Sequence, residues 1–332
     1  MKNQLKTMTT MCAIVASLFI AACNNNGNKE NSTVQKEEHQ HGEGDQQHEH
    51  IFACPMHSEV TGKEGDKCPK CGMALEHMDE VPSKGNFQML FTSSPQIIEA
   101  GKPITLAFTP KSKDNSTAAV PLDVEHEKKL HLIMVNEDLS WFNHIHPEYQ
   151  ADGTYSVAET FPNGGNYILY ADYKPSGSTH QLEKINVEVK GKTLPAKTFS
   201  KIQNTTVSDA YSITLKPDDG IFIANKAIHF DGVFTNEGKS FDVNQLQNHL
   251  GAKGHMVAIN TETKEYVHLH PEVEGTILHF HTTFEKAGTY RAWLQFKADG
   301  KLHTSDFLIK VEQGESTETK EGHDHSNHSH KH

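Results

Sequence analysis

The sequence predicts a mainly β protein. It should hold a small metal-knuckle domain and two tandem β-sandwiches, flanked by a His-rich disordered N-terminal tether and C-terminal tail. Three observations carry this. Runs such as PITLAFT, NYILYADY, TYRAWLQF and DFLIKV are bounded by the turn sequences PNGG, KPSG, EKAG and KADG. No long stretch has helical periodicity with caps, and only FDVNQLQNHLGAKG suggests a short helical turn, ending at Gly251. The chain also repeats itself: HLIMVNEDLSWFNHIHPE, from His131, returns 124 residues later as HMVAINTETKEYVHLHPE, from His255.

Residues 1–22 read as a leader. Lys2 and Lys6 precede an apolar run of 15 residues, Met8–Ala22, short of the ~20 that span a bilayer. The run ends in LFIAAC, which resembles the lipobox of bacterial lipoproteins. That resemblance implies that Cys23 becomes an acylated N-terminus, so the protein is lipid-anchored in the cell envelope, on the periplasmic face or the cell surface. An ordinary secretory leader is the alternative. Of five cysteines, Cys12 leaves with the leader and Cys23 carries lipid. Cys54, Cys68 and Cys71 remain, an odd set that disulfides cannot exhaust and a metal site can.

Residues 23–50 almost lack apolar side chains and read as a disordered tether. His39, His41, His48 and His50 lie in it, and the tail, 314–332, has the same character. The chain holds 24 histidines and a formal charge of −12 with no basic cluster. That balance excludes nucleic acid as a partner and suits cations.

Residues 51–80 form the knuckle. Cys54 and His57 are followed by Cys68 and Cys71 in CPKCG, a Cys3His set for a tetrahedral ion. About thirty residues cannot bury enough surface to fold without a metal or disulfides. CPMHSEV…CPKCGMALE resembles the heavy-metal-binding domain that precedes some copper- and silver-efflux adaptors and metal-pumping ATPases, with Ser58 where that family usually has proline. The resemblance implies a soft or borderline transition metal ion, Cu or Zn, with Met56 and Met73 as further soft ligands for Cu(I). A purely structural zinc knuckle is the alternative.

Residues 85–192 and 205–313 are the two repeats. Phe87 aligns with Tyr211 and Ile104 with Ile228 at an offset of 124, and Tyr167 with Tyr290 and His180 with His303 at 123. A period this long is domain duplication. Each unit has roughly seven short strands, as in an immunoglobulin-like sandwich. A hairpin pairing Val135 with Phe142 and Ile133 with His144 sets His131, His144 and His146 on one face, and His255, His268 and His270 follow by the same construction. A one-residue slip would undo this. His180 and His303 would be fourth imidazoles or outer partners, and Glu148 and Glu272 would orient a ring. His279 and His281, in the second repeat only, read as auxiliary or incidental. Three imidazoles without a thiol suit Zn(II) or Cu(II); the alternative is a structural feature copied by duplication.

The function expected is an envelope lipoprotein, not an enzyme. It would bind Cu or Zn for sequestration, tolerance or hand-over to an efflux system. One alternative is a metal-dependent hydrolase with an open three-histidine site. The other is an efflux-complex adaptor, which the absence of a periodic helical segment disfavours.

Overall fold

The computed structural model describes residues 51–54, 60–70, 74–78 and 85–314. The leader, Cys23, the tether and the tail beyond Gly314 lie outside these residues, as do Met56, His57, Cys71 and Met73.

The knuckle is a three-stranded sheet of β1 (Ile51–Ala53), β2 (Thr61–Gly62) and β3 (Glu76–Met78), with β1 central. Its core is Cys54, Cys68 and Leu75, with Phe52 and Val60 against them. Both described sulfur side chains are therefore inside.

The first sandwich contains β4 (Phe87–Ser94), β5 (Ile98–Glu99), β6 (Ile104–Ser112), β7 (Leu130–Asn136), β8 (Phe142–Ile145), β9 (Glu148–Tyr149), β10 (Tyr155–Glu159), β11 (Gly165–Tyr173) and β12 (Gln181–Lys190). The second contains β13 (Thr205–Ser208), β14 (Tyr211–Pro217), β15 (Phe222–Ile223), β16 (Ala227–Asn236), β17 (Lys239–Ser240), β18 (His255–Asn260), β19 (Tyr266–Leu269), β20 (Glu272–Glu274), β21 (Ile277–Thr283), β22 (Gly288–Ala298) and β23 (Lys301–Glu312). Their topologies match. Order β4-β6-β10-β9 corresponds to β14-β16-β21-β20, and β5-β12-β11-β7-β8 to β15-β23-β22-β18-β19. Four strands ordered A-B-E-D facing a sheet built on C-F-G is the immunoglobulin-like arrangement. A tyrosine corner recurs in both copies: Tyr167 Oη donates to Asn163 O at 2.9 Å and Tyr290 Oη to Lys286 O at 2.8 Å. The two-residue edge strands, such as β5 and β9, are too short for sequence patterning to reveal. The expected helical turn is a 3-10 turn, Val243–Gln245, capped by Asp242. Gly251, at φ 77°, belongs to a later turn.

Each sandwich has its own core, and a third apolar cluster joins them. Ile133, Val135, Ile168 and Tyr170 of the first copy pack with Val257, Ile259 and Trp293 of the second. These side chains lie on the faces of the five-stranded sheets that point away from each copy's own core. Two aromatic stacks are reciprocal: Phe142 on Trp293 (4.6 Å between centroids) and Tyr266 on Tyr170 (5.0 Å). Phe142 is the counterpart of Tyr266, and Tyr170 of Trp293, so each repeat offers the other the same surface. β7, β11, β18 and β22 are consequently buried on both faces, and their sequences are almost continuously apolar instead of alternating.

Trp293→Ala is expected to cost about 3–5 kcal/mol in urea unfolding. Val207→Ala, at a residue 69% exposed, should change stability by no more than about 0.5 kcal/mol. Equal midpoints for the two variants would contradict the packed seam.

Candidate metal centre at the seam between the sandwiches

The hairpin register is the one the spacing predicts. Val135 pairs with Phe142 and Ile133 with His144, and in the second copy Val257 pairs with His268. The same register carries His131 opposite His146 and His255 opposite His270. All six rings lie on the face that meets the other sandwich, at one end of the apolar seam. The two expected half-sites therefore merge into one centre. Ligand atoms of His131, His144 and His268 lie within 4.8 Å of one another, as do those of His255, His268 and His270.

The ring partners cross the seam. His144 Nδ1 is 2.9 Å from Gln295 Oε1, and His268 Nδ1 is 3.0 Å from Asp172 Oδ2. Asp172 and Gln295 occupy equivalent places, beside His131 on β11 and beside His255 on β22. Two further contacts are also reciprocal: His131 Nε2 donates to Glu125 O at 2.9 Å and His255 Nε2 to His249 O at 2.7 Å. These carbonyls sit at the start of matching tight turns. His126 and Glu127 adopt positive φ in one, Leu250 and Gly251 in the other, as a type I′ turn requires. The first turn lays the His126 ring on His270 at 3.5 Å.

These bonds assign the tautomers: His131 carries its proton on Nε2 toward a carbonyl, and His144 on Nδ1 toward Gln295 Oε1. The opposite nitrogens, His131 Nδ1 and His144 Nε2, then hold lone pairs and face each other at 3.3 Å. Two nitrogens bound to one tetrahedral ion at about 2.0–2.1 Å stand roughly 3.3–3.4 Å apart. His126 Nε2, His146 Nε2, His255 Nδ1, His268 Nε2 and His270 Nε2 are buried without a hydrogen-bond partner. Such groups are costly unless something fills them. The donor set fits a borderline divalent ion such as Zn(II) or Cu(II).

Burial disfavours the cationic form of six of these rings. It pushes His126 and His131 down to about 4, His146 to about 3 and His255 to about 2, with neighbouring imidazoles adding to the effect. His144 and His270 are also held well below the ordinary value, again chiefly by burial. Asp172 moves the other way. Burial alone would raise it, but His180 and the bonds from His180 and His268 hold it well below the usual carboxylate range. His180 forms an ion pair with Asp172 and so orients the acceptor of His268 from outside the ring cluster. A cleft of about 530 Å³ opens at this end, reaching from Asp172, His180 and His268 to Lys70 of the knuckle.

His303 is not in the cluster. It pairs with Phe296, stacks on that ring at 4.9 Å, and stands 5.4 Å from Tyr211. The physical reason is a hairpin one residue shorter. Tyr173 pairs with Gln181, but its counterpart Phe296 pairs with His303. The one-residue difference turns the histidine to the opposite face. Glu148 and Glu272 do not orient the seam rings. Glu148 is exposed, and Glu272 pairs with Lys67 at 3.0 Å. Asp172, Gln295 and His126 take parts that the sequence reading missed. A lone acid in YILYADY and a lone amide in RAWLQF, at matching places in apolar strands, were the available signals.

For a histidine harder to protonate folded than unfolded, the unfolded state binds more protons below pH ~6.5. Stability should therefore fall as pH drops from ~6.5 toward 4 in metal-free protein, by about 1 kcal/mol per pH unit for each strongly buried ring. His180, raised because Asp172 outweighs burial, works in the opposite direction. A urea midpoint unchanged between pH 7.5 and 5 would contradict the buried neutral cluster.

No curated protein matches the chain. Among solved structures, the Escherichia coli adhesin FdeC is 13% identical, with 69% of this chain and 65% of that one covered and a TM-score of 0.24. Escherichia coli alpha-2-macroglobulin is 11% identical over 69% of this chain and 20% of that one, with a TM-score of 0.25. The chain thus spans under two thirds of the length of each, and likeness this weak carries no fold or function across. A heavy metal binding domain family matches residues 51–78. A domain of unknown function, DUF8832, matches twice, at 88–191 and 205–313, over well more than half of the sequence. The chain belongs to the DUF8832 family, as a duplicated member preceded by a heavy metal binding domain.

Proposed function

We propose that the chain is a metal-binding protein of the cell envelope that holds Cu or Zn for sequestration, tolerance or hand-over to an efflux system. The observation that carries this is the facing pair of ring nitrogens, His131 Nδ1 and His144 Nε2, 3.3 Å apart inside the seam. With both rings neutral and their protons directed to Glu125 O and Gln295 Oε1, the two lone pairs face each other. A cation between them turns repulsion into coordination. The heavy metal binding domain supports a second, sulfur-rich store in the knuckle, with Cys54, His57, Cys68 and Cys71 as its donors. A cleft lined by Lys70 of the knuckle and by His268 lies between the two.

We favour binding over turnover, because the seam gathers more imidazoles than the three that an open catalytic site would use. Anchoring through lipid on Cys23 rests on the leader sequence alone, and the efflux partner on the knuckle's resemblance.

Elemental analysis and isothermal titration of the soluble form from residue 24 test this. His144→Ala combined with His268→Ala should abolish high-affinity Zn(II) binding at the seam, while Cys68→Ala should remove the knuckle's ion independently. Unchanged stoichiometry in the double histidine variant, with native near-ultraviolet circular dichroism, would refute the seam site. Ester and phosphate hydrolysis should show no metal-dependent component.

A further inference from the structure

The second sandwich carries another group of imidazoles, on a different sheet from its seam histidines. His229 lies on β16, and His279 and His281 on β21. His229 pairs directly with His281, and Asp231 with His279. Phe230 and Phe280 alternate with them, point into the core and stack at 4.8 Å. The three imidazoles therefore share the outer face of the sheet. Their ligand atoms lie within 4.8 Å of one another. His279 Nδ1 donates to Asp231 Oδ1 at 2.8 Å, leaving its Nε2 as a donor to an ion, the usual carboxylate–histidine arrangement at metals. His281 Nε2 is buried with no hydrogen-bond partner. Burial, with His229 and His279 beside it, holds the His281 imidazole down to about 4, so its lone pair is free at neutral pH.

Duplication does not explain this group. The equivalent strand pairs of the first copy are Thr105 with Ala158 and Ala107 with Ser156, which offer no imidazole or carboxylate. The copy that has the histidines is also the copy that carries the knuckle. Thr283 N donates to Lys70 O at 3.1 Å and Thr283 Oγ1 to Pro69 O at 2.8 Å, while Lys67 pairs with Glu272. Thr283 follows His281 by two residues on the same face. The backbone between Cys68 and Cys71 is thus anchored next to the imidazoles.

We infer that His229, His279 and His281 form a second divalent-cation site, taking Zn(II) or Cu(II) where the knuckle docks on the second sandwich. Asp231 is the positioning residue for His279. Carboxylate oxygens of Glu272 and Glu274 also lie within 4.8 Å of a ligand atom of His281, at the edge of the group. Three imidazoles select a borderline divalent ion over Cu(I).

The test is Zn(II) titration of the full chain against a competing chelator. His229→Ala with His281→Ala should lose one bound equivalent and leave the seam ion in place. His229 is exposed, so His229→Ala alone checks that lowered affinity is not unfolding. Asp231→Asn should keep the equivalent and weaken it about 10–100-fold. Adding His144→Ala and His268→Ala should remove a different equivalent, so the two losses add. If only the outer pair of substitutions lowers the stoichiometry, this inference stands and the seam reading falls. If the His229→Ala, His281→Ala protein binds as many ions with wild-type affinities, the outer site is overturned.

Discussion

Back-to-back burial of the two five-stranded sheets is the constraint on which the rest depends. Ile133, Val135, Val257, Ile259 and Trp293 exclude water from the seam, and the histidines lie at its end. Removed from bulk water, these rings are disfavoured as cations. Their remaining protons must go to fixed acceptors, and the seam supplies those from the opposite copy: Gln295 for His144 and Asp172 for His268. One packing event therefore sets ring orientation, tautomer and charge together. Neither sandwich alone contains the finished arrangement.

The copies are alike but not identical, and the differences cluster where ions would bind. Asp172 places a negative charge where its counterpart Gln295 places a neutral amide. His126 stacks on His270, whereas the matching turn offers Leu250. His180 reaches Asp172, but His303 sits among Phe296 and Tyr211. A symmetric cage for a divalent ion would hold the same charge on both sides. This one concentrates its carboxylate on one side, next to the cleft that leads toward the knuckle.

Much of this was legible in the sequence because strand geometry has a strict period of two. HLIMV and FNHIH flank a loop whose length leaves one sensible register, so the shared face of His131, His144 and His146 followed. The sandwich architecture and approximate strand number could be expected from turn spacing, but two-residue edge strands could not. The meeting of the copies was harder to see. Unbroken apolar runs in β7, β11, β18 and β22 signal burial on both faces, yet a single sequence does not say against what. His303 was misplaced because an offset in sequence ignores a hairpin shortened by one residue. His229 and Asp231 were overlooked because their partners His279 and His281 are about fifty residues away, and only the β16–β21 pairing joins them.

The most direct test is an anomalous difference map from crystals grown with Zn(II), recorded on both sides of the zinc absorption edge. The account predicts an edge-dependent peak inside the seam, about 2.0–2.1 Å from both His131 Nδ1 and His144 Nε2. Ordered zinc confined to exposed side chains, with those two nitrogens bridged by a proton alone, would contradict it.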